Sequence, residues 1–162
     1  MNAITDTILR RIRAKRRGWV FTPKNFADIG TRAAIDQTLS RLARKGTIRR
    51  LDRGLYDYPK QHPALGALSP AADDLAQAVA AKTGNIAFPS GAAAANLLGL
   101  STQVPAKPVY LTNGPSRTRK IGNRTIVLKH ARVPIVRGLS NKANFMLQAL
   151  SYLGKNNMDD QM

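Results

Sequence analysis

Thr31, Arg32, Asp36, Gln37, Ser40, Arg41, Arg44 and Lys45 share the polar side of a stretch whose other side is apolar at Ile35, Leu39 and Leu42. That i, i+4, i+7 spacing predicts a helix over about 32–45. Side chains near the start of such a helix can meet base edges. Arg32 suits the O6/N7 pair of guanine, and Gln37 suits N6/N7 of adenine. Asp36 stands one turn after Arg32, where it either orients that arginine or accepts from a cytosine amine. Thr31 can cap the helix and touch a phosphate. Ser40, Arg41, Arg44 and Lys45 lie further along and suit the sugar-phosphate backbone. Beyond Gly46, Arg49, Arg50 and Arg53 flank Gly54, which permits a tight hairpin tip, so these arginines suit phosphates or a minor groove. The plainer alternative is a solvated basic face on a protein-contact module.

Global charge favours the first reading. The 162 residues carry 26 Lys and Arg against 9 acids, formally +17, with a pI near 11.3. Residues 1–63 alone hold 15 basic and 5 acidic side chains, net +10. Each phosphate neutralised by such a chain releases counterions. An acidic protein or an anionic membrane surface would satisfy the same charge, so charge alone does not choose.

The composition also closes off chemistry. Cys is absent, which removes disulfides, thiolate metal sites and thiol nucleophiles. Between Asp74 and Asp159 there is no acid at all, whereas Lys and Arg number 11. A Mg²⁺-dependent nuclease or a carboxylate-pair catalyst needs acids there. Ser90, Ser116 and His130 have none nearby in sequence to complete a triad, and His62 is the only other histidine. Neither a GxxxxGK[ST] nor a GxGxxG phosphate loop occurs. No cofactor, metal or enzymatic activity is expected. The opening MNAITDTILRRIRAKRRG carries charges where a signal peptide needs its apolar region, and no stretch reaches the length of a membrane span. A cytoplasmic protein is expected.

The elements that must position these residues follow from pattern. Ile4, Ile8 and Ile12 form one face of a first helix that ends by Gly18. Trp19-Val20-Phe21 reads as a strand, and Thr22-Pro23 opens a short helix presenting Phe26 and Ile29. Gly30-Thr31 leaves almost no connection to the next helix, and β-like segments follow at Thr47–Leu51 and Leu55–Tyr58. That order predicts a winged helix-turn-helix over 1–58. Residues 59–68, PKQHPALGAL, read as a linker, and 69–153 as a small C-terminal α/β domain, making the chain α+β. In that second domain the pattern predicts a helix capped at Ser69-Pro70 and a strand at Ile86–Phe88. A helix over Ala92–Leu98 capped by Ser90 and a strand at Val109–Thr112 follow. A hairpin then joins Arg117–Ile121 to Arg124–His130, and a last helix covers Asn141–Leu153 before a polar tail, 154–162. The hairpin cations Arg117, Arg119, Lys120 and Arg124 suit a second nucleic-acid surface, an acidic protein groove, or a merely solubilising rim.

Three blocks carry a family resemblance: ARKGTIRRLDRGLYDYP, LSPAADDLAQAVA and FPSGAAAANLLGLSTQVPAKPVYLTNGPSRTRKIGNRTI. Together they span most of the chain, and it resembles the AbiEi-like antitoxins of type IV toxin–antitoxin systems. The resemblance implies a winged-helix N-terminal domain that binds double-stranded operator DNA and represses its own operon, in a system of phage abortive infection. Operators of such domains are often inverted repeats, which would engage two copies. It also implies a C-terminal domain that neutralises a nucleotidyltransferase-like toxin encoded alongside, with or without direct contact. Chains of that kind continue past the equivalent of Tyr152-Leu153-Gly154, so this one reads as a shortened member. Two other readings stay open: a stand-alone nucleic-acid-binding regulator without a toxin, and a basic interaction module that inhibits an acidic enzyme.

Overall fold

A computed structural model describes residues 2–102, 108–131 and 138–159. The chain is α+β, with five α-helices and nine strands among the described residues. It divides into two compact units, Met1–Lys82 and Thr83–Met162.

The first unit begins with α1 (Ala3–Ala14), whose N-cap Asn2 accepts from the Ile4 amide. After it come β1 (Val20–Phe21), a 3-10 turn (Pro23–Phe26), α2 (Arg32–Arg44), β2 (Arg49–Asp52) and β3 (Leu55–Asp57). The segment expected as a short helix after Thr22 is thus a 3-10 turn. Its geometry comes from Asn25, whose Oδ1 accepts from the Thr22 amide at 2.8 Å. Ile8, Leu9 and Ile12 of α1 meet Ile35, Leu39 and Leu42 of α2 over Phe21, Phe26, Ile48 and Tyr56. Phe21 organises the aromatic part, edge-on to Phe26 at 5.5 Å and stacked near Tyr56 at 6.2 Å. Arg11 pins α1 to the turn region, with Nη1 donating to the Asn25 carbonyl at 2.7 Å and a two-pronged pair to Asp28 at 2.7 Å.

β3 is the central strand, antiparallel to both β1 and β2. Side chains alternate across a sheet, so Phe21 and Tyr56 turn toward α1 and α2 while their neighbours Val20 and Asp57 turn away. Both of the latter are buried, and α3 (Ala72–Ala81) packs against β1. Asp57 is fully buried and faces Arg49 directly across the ladder. Arg49 donates from Nε and Nη2 to its two oxygens at 3.0 and 2.6 Å, and from Nη2 to the Leu68 carbonyl at 2.8 Å.

This arrangement moves the expected boundaries. Residues 59–68 are no loose linker: β4 (Gln61–His62) and β5 (Gly66–Ala67) pair as a small ribbon. His62 Nδ1 accepts from the Ala64 and Leu65 amides at its turn. The helix assigned by sequence to the second domain belongs to the first unit, because the far face of the sheet needs a cover. Its N-cap is Ala71, with no side-chain cap bond, rather than Ser69-Pro70. Asp73 and Asp74 do occupy its first turn.

The second unit contains β6 (Ala87–Pro89), α4 (Gly91–Leu97), β7 (Val109–Thr112), β8 (Arg117–Ile121), β9 (Arg124–His130) and α5 (Asn141–Asp159). The sheet order is β6-β7-β9-β8, parallel only between β7 and β9. Ser90 caps α4 as expected, accepting from the Ala93 amide. Ala94 and Ala95 pack against Ala149 of α5, and such small side chains permit close helix approach. α5 continues to Asp159, past the expected end at Leu153, so most of the supposed tail is helical. Residues 160–162 lie outside the described residues.

Two outcomes follow from these ion pairs. Arg49→Ala strands a buried carboxylate and is expected to cost about 3 kcal/mol, measured as a lower urea midpoint. A loss within the range of ordinary surface substitutions would contradict that. Arg11 hydrogen bonding holds the Asp28 carboxyl at about 2, below its ordinary 3.8. A lowered folded pKa stabilises above the ordinary value and is lost as pH falls through the folded one. Asp28→Asn should therefore melt below wild type at neutral pH, and the gap should close between pH 3.8 and about 2.

Candidate nucleic-acid interface

α2 is positioned by its own ends. Thr31 is the N-cap, its Oγ1 accepting from the Ala34 amide at 3.3 Å, and Gly46 follows the helix with φ +76°. The positive φ is a conformation that favours glycine, so the chain can turn sharply into β2. With Ile35, Thr38, Leu39 and Leu42 buried, the polar residues divide into two stripes. Arg32, Asp36 and Ser40 recur at i, i+4, i+8 and face the β2–β3 hairpin. Arg41 and Lys45 lie round the helix beside Asn2 and Thr5 of α1. Gln37 is exposed and spaced with the second stripe, so the structure separates it from Arg32 and Asp36. Arg44 is exposed near the helix end.

Between the first stripe and the hairpin runs a groove of about 490 Å³. Five cations line it, Lys24, Arg32, Arg50, Arg53 and Lys82, against one acid, Asp36. Arg50 and Arg53 come from the hairpin, which bulges between Arg50 and Asp52. Lys24 comes from the 3-10 turn. Lys82, at the end of α3, donates from Nζ to the Arg53 carbonyl at 2.5 Å and so braces the hairpin tip. Asp36 is bound to Arg32, whose Nε donates to both carboxylate oxygens at 3.0 and 2.9 Å.

Arg49 leaves the expected contact set. Neighbours on a strand point to opposite faces, so Arg50 reaches the groove while Arg49 is spent on Asp57 and Leu68. Lys24 and Lys82 are the members that sequence reasoning missed. Lys24 had a signal, standing one residue after the Thr22-Pro23 start. Lys82 had none, because its place in the groove depends on α3 packing with the first unit.

Charge placement at the helix ends differs between α2 and α3. The first turn of α3 holds Asp73 and Asp74, as the helix dipole favours. The first turn of α2 holds no acid and starts on Arg32.

In the second unit, β8 is an edge strand with Arg117, Arg119 and Lys120 exposed. Pairing with β9 puts Arg117, Arg119 and Arg124 on one sheet face and Lys120 on the other. The His130 ring nitrogen Nδ1 lies 2.8 Å from the Gly114 carbonyl, and Ser116 Oγ accepts from the His130 amide, so both residues hold the loop before β8. Among the described residues no cluster of three or more candidate ligands could hold a metal ion. No described helix is long and apolar enough to cross a membrane.

The chain belongs to a family of unknown function, DUF6088, whose model matches residues 7–162. Compared with curated proteins and with solved structures, it matches none.

The Thr31 cap can be checked separately from binding. Thr31→Ala should lower stability by about 1 kcal/mol in urea titration. An unchanged midpoint would mean that the 3.3 Å bond contributes nothing.

Proposed function

We propose that the first unit is a winged helix-turn-helix, with α2 as the recognition helix and β2–β3 as the wing, and that the chain is a double-stranded DNA-binding autorepressor. The observation that carries this reading is the groove in which Lys24, Arg50, Arg53 and Lys82, from three other elements, face the stripe Arg32, Asp36 and Ser40. That stripe spans nine residues of a helix whose diameter of about 10–12 Å suits a major groove about 12 Å wide. Arg50, Arg53, Lys24 and Lys82 supply phosphate contacts. Arg41, Arg44 and Lys45 can reach a backbone on the other side of α2. An inverted-repeat operator would bind two copies of the chain.

From the resemblance to AbiEi-like antitoxins, the same reading extends to counteracting a nucleotidyltransferase-like toxin in a cytoplasmic phage-defence system. The exposed arginines Arg117 and Arg119 of the edge strand β8 and Arg124 of β9, on one sheet face, favour the second unit as the surface for that task. They suit an acidic protein partner or a second stretch of nucleic acid. The role is non-catalytic, consistent with a sequence that has no acid between Asp74 and Asp159.

Binding to duplex DNA should weaken steeply with salt. Arg50→Ala and Arg53→Ala should each reduce affinity for all sequences alike and make the salt slope shallower by about one unit. Unchanged slopes would remove these residues from the interface, and no duplex binding even at low salt would end the DNA reading. Co-expression with a neighbouring nucleotidyltransferase should restore growth. Continued arrest with folded protein present would refute the antitoxin role and leave the repressor role standing.

A further inference from the structure

Resting on the DNA reading above, we infer that Arg32 reads one guanine of the operator end-on in the major groove, with Asp36 as the positioning residue that makes that contact selective. Stability does not explain the pair. A cation at the first position of a helix opposes the dipole, and the order Arg then Asp at i, i+4 is the weaker of the two orders. Both partners are solvent-exposed, 62% and 48%, where ion pairs contribute little.

The geometry fits recognition. Asp36 engages Arg32 through Nε alone, and among the described residues neither terminal nitrogen of Arg32 has a partner. Two parallel N–H donors therefore remain at the tip of a guanidinium whose swing is restrained. Guanine presents two acceptors, O6 and N7, to such a fork, whereas adenine offers a donor and an acceptor. Commitment to Arg32 also takes Asp36 out of the alternative role of accepting from cytosine. The pair has no net charge, so it attracts phosphates weakly compared with Arg50 and Arg53 of the hairpin. Base reading and phosphate grip are thus divided between Arg32 on one wall of the groove and Arg50 and Arg53 on the other.

Selection of preferred duplexes from a random pool with the full chain tests this. The enriched motif should contain a guanine at which replacement by 7-deazaguanine, which lacks N7, costs about tenfold or more in affinity. Inosine, which keeps O6 and N7, should be tolerated there. Arg32→Ala should lose preference at that base pair alone, with an almost unchanged salt slope. Asp36→Ala should lose the same preference while binding random duplex as well as wild type or better, because the freed arginine can turn to a phosphate. Melting close to wild type is expected for both exposed variants. A motif whose preferences survive Arg32→Ala, or whose guanines tolerate 7-deazaguanine, overturns the inference and leaves DNA binding intact. An Asp36→Ala variant that keeps full discrimination overturns the positioning role. No binding of any duplex at low salt overturns both this inference and the function it rests on.

Discussion

The first unit depends on compensating one buried carboxylate. Asp57 lies in the middle strand of a three-stranded sheet with no access to water. Left alone it would carry a desolvation cost of several kcal/mol. Arg49 answers it with two parallel bonds, and its third bond, to the Leu68 carbonyl, draws in the segment that leads to α3. α3 then covers the far side of the sheet, and its C-cap residue, Lys82, reaches the hairpin tip at Arg53. One ion pair thus joins the two strands of the hairpin and ties them to Leu68, the residue between the ribbon 61–67 and the turn into α3.

The same constraint gives two adjacent arginines opposite tasks. Arg49 faces the buried acid and contributes to folding. Arg50, one residue on, faces the groove and stays exposed. On α2 a comparable division separates Arg32, paired to Asp36, from Arg41 and Lys45 round the helix. The basic excess of the unit is therefore not a uniform coat. Part is neutralised by ion pairs within the fold, part lies on other faces such as Arg41 and Lys45 beside α1, and five cations line one concave surface.

Local patterns in the sequence predict much of this. The Ile35, Leu39, Leu42 spacing together with Thr31 and Gly46 places α2 within a residue of its observed ends. Gly122-Asn123 places β8 and β9 at their observed limits, since a tight turn sets the register of both strands. Segments ruled by distant contacts are misread. PKQHPALGAL has linker composition, yet its last residue, Leu68, is bound by Arg49, and the helix after it covers a buried strand. Arg49 is indistinguishable from Arg50 until the strand register is known. Lys82 enters the groove only through tertiary packing. The end of α5 differs from its pattern for another reason: GKNNMD is polar and lacks an apolar face, but the helix runs on through it.

The central claim, sequence-specific recognition of duplex DNA, is tested most directly by footprinting the region upstream of the gene with the full chain. The measurement is made at a salt concentration that suppresses binding to random duplex. The expected result is a bounded protected segment, or two segments in inverted orientation, with unprotected DNA between and beyond. Protection indistinguishable from that of random DNA at every salt concentration would contradict the claim.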